Sequence, residues 1–280
     1  MLIRAGYEIQ YECPMPTPMT LLLSVRPERL PDLVTPQNIV ASGGVKLRPY
    51  RDMFGNIAHR LVAPAGAVRF RTDFVIRDSG LPDAVVPGAR QHPVEDLPDD
   101  VLVFLNGSRY CETQLLSQLA WSLFAGVEPG WARVQAIVDY VHARITFNYA
   151  HARSTRTAVE CHEERVGVCR DFAHLAVTLC RCMNIPARYC TGYLGDIGIP
   201  PVDAPMDFSA WFQVYLDGEW WTLDARHNTP RIGRILMAYG RDAADVAITT
   251  SFGNAWLTHF EVITEEVSRE AVEDRSLQLA

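Results

Sequence analysis

"GVCRDFAHLAVTLCRCMNIPARYCTGYL", residues 167–194, is the stretch on which the fold of this chain turns. From Arg170 to Met183 the apolar residues Phe172, Leu175, Ala176, Leu179 and Met183 recur at helical spacing, which predicts a buried helix. Gly167 permits a tight entry, and Cys169 falls at or beside the first helical residue. There the backbone N–H groups have no intrahelical partner, and the positive end of the helix dipole favours a thiolate. A reactive cysteine needs such surroundings. Cysteine is also a small hydrophobe that proteins commonly bury, so position alone leaves both roles open.

Downstream, "MDFSAWFQVYLDGEWWTLDA", residues 206–225, reads as a β-hairpin around Asp217-Gly218, a dipeptide suited to a two-residue turn. That loop sets Leu216 opposite Glu219, Gln213 opposite Thr222 and Ser209 opposite Arg226. Alternation places Ser209, Trp211, Gln213 and Tyr215 on one face with Thr222, Asp224 and Arg226. Position 209 and the Asp224 carboxylate then become diagonal neighbours, as a base and its orienting group must be. Asp224 could equally be a strand-end cap or an ion-pair partner for Arg226.

The remaining cysteines and histidines read as structural. Cys180 and Cys182 point in different directions on the predicted helix. His174 lies about 140° round the helix from Cys169 and faces away from it. Cys161, His162 and Cys169 lack the paired C-x-x-C spacing of a zinc site, so no metal is expected.

The preceding sequence has a different period. "VRFRTDFVI", residues 68–76, puts Val68, Phe70, Thr72, Phe74 and Ile76 on one face, and "RDMFGNIAH", residues 51–59, carries a Gly-Asn turn signal. Residues 1–80 are therefore expected to form an antiparallel β-sandwich. Residues 81–100 lie in a Pro-, Gly- and Asp-rich stretch that suits a linker or strap. Residues 101–280 follow as a second domain. In it Thr113–Ala125 is helical, and Trp131, Val134, Val138, Val141 and Ile145 mark another helix. The polar stretch 148–165 reads as a loop or short turns.

Composition narrows the function. The formal charge is −7 with no Lys/Arg block, which disfavours nucleic-acid binding. Apolar runs are too short for a membrane span, and the N-terminus lacks the apolar core of a secretory signal. Seven cysteines suit a reducing compartment better than a disulfide framework, so a cytoplasmic location is expected. Nothing in the sequence indicates an oligomeric state.

Residues 167–194 closely resemble the nucleophile helix and following strand of the bacterial transglutaminase-like proteins, a branch of the papain-like cysteine hydrolases and acyltransferases. Their next signature is a strand with His-Ala-Trp, a turn, and a second strand ending in Leu-Asp. Here it reads Ser209-Ala210-Trp211, Asp217-Gly218 and Leu223-Asp224. "YRDMFGN", residues 50–56, is similar to a stretch of the β-rich domain that precedes the catalytic domain in many members. The resemblance implies an α+β fold: an N-terminal antiparallel β-sandwich, then a papain-like core whose nucleophile helix packs on an antiparallel sheet. It implies Cys169 as nucleophile on a peptide or protein amide, position 209 as general base and Asp224 as its orienter, without a cofactor. A serine hydroxyl does not accept a proton near neutral pH, so Ser209 cannot act as imidazole does. Two histidines could substitute: His227, if the chain turns after Asp224, and His162, in the loop before Cys169. An active amidase or acyltransferase and an impaired relative that binds a peptide or protein are both consistent with this pattern. Loop 195–207, "GDIGIPPVDAPMD", would shape the rim of the cleft.

Overall fold

Alternating burial along the first strands builds the N-terminal half. In the computed structural model, which describes residues 1–201 and 206–272, these strands are β1 (Leu2–Cys13), β2 (Thr17–Leu21), β3 (Val40–Ala41), β4 (Arg48–Arg51), β5 (Ile57–Ala63) and β6 (Gly66–Arg77). Val68, Phe70, Thr72, Phe74 and Ile76 of β6 are all buried, as their alternation predicts. The Gly-Asn turn also forms: Asp52 Oδ1 accepts the Phe54 and Asn56 N–H groups, and Gly55 takes φ +76°.

The helical part follows with α1 (Thr113–Phe124), α2 (Trp131–Arg144), β7 (Thr146–Phe147), α3 (Ala158–Glu164), β8 (Val166–Gly167) and α4 (Cys169–Cys182). Helix α3 lies where a loop or turns were expected. Its start carries a reciprocal cap, Thr157 Oγ1 accepting the Glu160 N–H while Glu160 Oε2 accepts the Thr157 N–H. The T-x-x-E spacing at 157–160 encodes that cap in the sequence. On α4, every residue from Asp171 to Cys182 is buried, so the helix is central to the core and not merely amphipathic.

Strands β9 (Ala187–Tyr193), β10 (Ser209–Leu216), β11 (Glu219–Leu223) and β12 (Ile235–Gly240) form an antiparallel sheet in the order β11-β10-β9-β12. Phe212, Val214 and Leu216 of β10 share a buried cluster with Phe172, Leu175, Ala176 and Leu179 of α4. Each such large side chain contributes about 1.5–3 kcal/mol by burial, so helix and sheet are firmly joined.

The chain then returns to its beginning. Strand β13 (Thr249–Ser251) pairs with β2, and β14 (Trp256–Val267) runs antiparallel to β1. Two four-stranded sheets result, β14-β1-β6-β3 and β13-β2-β5-β4. Ile3, Ile9, Phe70 and Phe74 of one meet Met19, Leu21 and Leu61 of the other in a single buried cluster. Tyr193, Phe208 and Ile235 join that cluster and tie the sandwich to the β9–β12 sheet. Residues 79–93 have no regular structure and run as an anchored strap: Ala89 accepts the Trp131 N–H and Asp83 accepts from Arg234. No helix among the described residues is long and apolar enough to cross a membrane.

Candidate active site

Side-chain hydrogen bonds fix the entry to α4, where the Cys169 thiol sits. Asp171 Oδ2 accepts the Val168 N–H at 3.0 Å and Arg156 Nη1 at 2.9 Å, while Oδ1 accepts Arg170 Nη2 at 3.1 Å. Arg156 continues to Glu164 of α3 at 2.9 Å. The parallel pair β7–β8 fixes the approach, and Asn148 N–H donates to the Gly167 carbonyl. A Cβ on Gly167 would stand 2.7 Å from Asp171 Cβ, so only glycine lets the chain pass this close to the carboxylate.

Cys169 is the first residue of α4 and the one cysteine of the seven that is not fully buried. It packs with Ala173 and with Ala210 of β10, whose N–H faces the sulfur. Burial dominates its chemistry and pushes the thiol up to about 11, against the favourable pull of Arg226 and the Ala210 N–H. Asp207 and Asp224 push in the same direction as burial. The resting group is therefore a neutral thiol, despite its place at a helix start, and nucleophilic attack requires a base.

The hairpin has the expected register: Leu216 faces Glu219, Gln213 faces Thr222 and Phe212 faces Leu223. Asp217 and Gly218 both take positive φ, as their two-residue turn demands. Pairing stops at Leu223, so the expected opposition of Ser209 and Arg226 does not form. The cause is Asp224, whose Oδ1 accepts the Arg226 and His227 N–H groups and whose carbonyl accepts the Asn228 N–H. These bonds wind the chain into a turn. Asp224 is nearly fully buried, and its Oδ2 accepts from Arg234 Nη2 at 2.9 Å, so Arg234 and not Arg226 is its arginine partner. Burial alone would raise its pKa; His227 and Arg234 outweigh that and hold the carboxyl well below the usual carboxylate range.

The same turn brings His227 back, with Nδ1 2.8 Å from Asp224 Oδ2. No hydrogen bond among the described residues joins this imidazole to the thiol. His162 is engaged elsewhere, its Nε2 2.7 Å from Tyr140 Oη of α2. Ser209 opens β10 opposite Gly192, one residue before the N–H that faces the sulfur. Its Oγ is buried and has no hydrogen-bond partner, and it forms no bond to Asp224. His174 is a packed core histidine between Tyr110 and Tyr189, its Nε2 accepting the Ala243 N–H.

Arg234 and Asp207 escape sequence reasoning, and Arg226 has a role other than the pairing with Asp224 that the sequence offered. Arg226 lies 3.7 Å over the Phe147 ring and acts on the thiol. Its carbonyl is held by His142 Nδ1 of α2 at 3.0 Å. Arg234 binds Asp224 from the loop before β12, and Asp207 lies just ahead of β10. The motif S-A-W alone carries no signal for any of them. Of the rim 195–207, residues 202–205 lie outside the described residues.

Comparison with known proteins agrees with this arrangement. The profile of the transglutaminase-like superfamily matches residues 117–225, which include α4 and the hairpin. An uncharacterised protein of Mycobacterium leprae is 35% identical over 143 residues, which are 48% of this chain. The match spans 46% of that relative's length, so less than half of the relative is represented. The crystal structure of a candidate cysteine protease from Cytophaga hutchinsonii is 29% identical, with a TM-score of 0.81 over 96% of this chain and 91% of that one. With helix α4, hairpin and sheet in this order, residues 117–225 carry the transglutaminase-like core that the superfamily profile describes.

Proposed function

We propose that the chain is a cysteine-dependent amidase or acyltransferase acting on peptide or protein amide bonds, with Cys169 as nucleophile and the Asp224–His227 pair as proton carrier. The observation that carries this reading is the 2.8 Å bond from His227 Nδ1 to the buried Asp224 carboxylate. A carboxylate on Nδ1 fixes the tautomer that leaves Nε2 free to accept a proton. Ser209 has no such capacity, and His162 spends its Nε2 on Tyr140.

In the reaction, His227 Nε2 takes the Cys169 S–H proton as Sγ bonds to the amide carbonyl carbon. Collapse of the tetrahedral adduct breaks the C–N bond, and the imidazolium returns the proton to the leaving amine. A thioester on Cys169 remains. Water or a second amine then attacks it, His227 taking the incoming proton and the thiol recovering it. At rest the imidazole makes no hydrogen bond to the thiol, so this reading requires His227 Nε2 to reach Cys169 when substrate seats.

Incubation with a library of peptide amides, followed by intact-mass spectrometry, tests this. An acyl adduct on Cys169, absent from Cys169→Ala and much slower in His227→Ala, is the expected result. Turnover unaffected by Cys169→Ala would sink the proposal. The unpartnered Ser209 hydroxyl at the position of the family base supports a second reading, a peptide-binding module without chemistry. That reading gains if peptides bind the parent and Cys169→Ala equally and no acyl adduct ever accumulates.

A further inference from the structure

A cleft of about 490 Å³ opens against the β9–β12 sheet and the strap, with Arg188, Arg234, Trp211, Trp220, Gln213 and Tyr239 on its walls. Arg26, Arg29 and the carboxylates of Glu28, Asp83 and Asp100 also line it. Most of these charges are already paired: Arg26 with Glu28, Arg29 with Asp32, Arg234 with Asp83 and Asp224.

Arg188 is different. Its guanidinium is held between two rings, 3.7 Å from the Tyr239 centroid and 4.1 Å from that of Trp220, and its Nε donates to Gln213 Oε1 at 2.8 Å. Among the described residues no carboxylate lies within ion-pair distance of it. Burial also works against its charge. Also on the wall of the cleft, the Arg234 side chain is only 8% exposed, and its Nη1 is buried without a partner. A partly buried guanidinium without an ion-pair partner favours a ligand's negative charge, and an unpaired buried N–H beside the cleft is costly. A carboxylate can take two parallel N–H bonds from the fork of Arg188, and Arg234, whose charge is already paired, can add one more from Nη1.

The cleft also adjoins the candidate active site. Arg234 binds Asp224 with one nitrogen and lies over the Trp211 ring, and Trp211 follows Ser209 by two residues on β10. We infer that this cleft binds a carboxylate of a peptide ligand, seated on Arg188 and Arg234 between Trp220 and Trp211. This rests on the proposed function for calling that peptide the substrate, but not for its binding. The carboxylate could be an acidic side chain or the peptide's C-terminus.

Calorimetry on the Cys169→Ala protein tests it without turnover. N-acetyl-glutamate α-amide is compared with N-acetyl-glutamine α-amide for the side-chain case, and N-acetyl-alanine with its amide for the C-terminal case. In one pair the carboxylate is expected to bind at least about tenfold tighter than the amide. Arg188→Gln should abolish that preference, and Arg188→Lys, which keeps the charge and loses the fork, should retain only part of it. Equal binding within both pairs, no binding at all, or tighter binding of inorganic phosphate than of either carboxylate would overturn the inference. So would a preference untouched by both Arg188 variants. Should Arg188→Gln fail to fold, the comparison of carboxylate with amide on the Cys169→Ala protein decides alone. Preference without turnover keeps the cleft and loses the enzyme; turnover without preference does the reverse.

Discussion

His227 Nδ1 lies 2.8 Å from Asp224 Oδ2, and that carboxylate also holds Arg234 at 2.9 Å. The two partners make different contributions. The histidine is partly exposed, whereas Arg234 and Asp224 form a buried ion pair. His227→Ala should therefore lower kcat/KM by about 10²–10⁴-fold, the usual cost of losing a general base, with little effect on folding. Asp224→Asn should lower activity and also cost about 1–3 kcal/mol of stability, because Arg234 loses one of its two counter-charges and keeps Asp83. Steady-state kinetics beside urea unfolding would separate the two effects. Equal destabilisation by both substitutions would contradict this division.

The Cys169 thiol provides a second test. With burial holding it at about 11, alkylation by iodoacetamide should accelerate up to that pH and not plateau near 8.5, the range of a free cysteine. Arg226 favours the thiolate, so Arg226→Met should move the profile upward and Arg226→Lys should leave it close to the parent. The same shift affects folding. A thiol whose folded pKa is raised contributes stability below about pH 8.5, and loses that contribution as pH rises towards 11. A parent profile centred near neutrality would mean that a base already holds the thiol at rest.

Much of this architecture was legible in the residues, and the exceptions share a cause. Helix α4 and the hairpin register follow from periodicity and from Asp217-Gly218, since both are local patterns. The position of the thiol at the helix start was equally local. What failed was extrapolation beyond the last hairpin pair. Strict alternation paired Ser209 with Arg226, but the Asp224 carboxylate captures two following N–H groups and ends the strand. That turn leaves Arg226 acting on the thiol and His227 bonded to the carboxylate. Strand β14 was invisible for another reason. Its pairing with β1 joins residues at opposite ends of the sequence, and no local window contains that information.

Acid should expose the Asp224 network. Its folded pKa is held below the ordinary value, so ionised Asp224 contributes stability above about pH 4, the unfolded carboxylate range. That contribution is lost progressively as pH falls from there towards the folded pKa. Urea unfolding at pH 7 and at pH 3.5 should show a smaller pH dependence in Asp224→Asn than in the parent. An unchanged pH dependence would show that the stability loss comes from other carboxylates.

Gly167 offers a test of how the nucleophile is positioned, separate from its chemistry. A methyl group there would stand 2.7 Å from Asp171 Cβ and 2.8 Å from its Oδ2, inside any real contact distance. Asp171 cannot retreat easily, because it is buried and bound by Val168, Arg156 and Arg170. Gly167→Ala should therefore cost about 1–3 kcal/mol, the usual range for overpacking a filled site. Part of that strain should reach Cys169, two residues on, by shifting the first turn of α4. The variant should thus lose activity at temperatures where it is still folded, and its alkylation profile should move although no titrating group has changed. If stability falls while the thiol profile and activity of the folded fraction stay as in the parent, Gly167 serves only packing, and the entry to α4 tolerates displacement without disturbing the nucleophile.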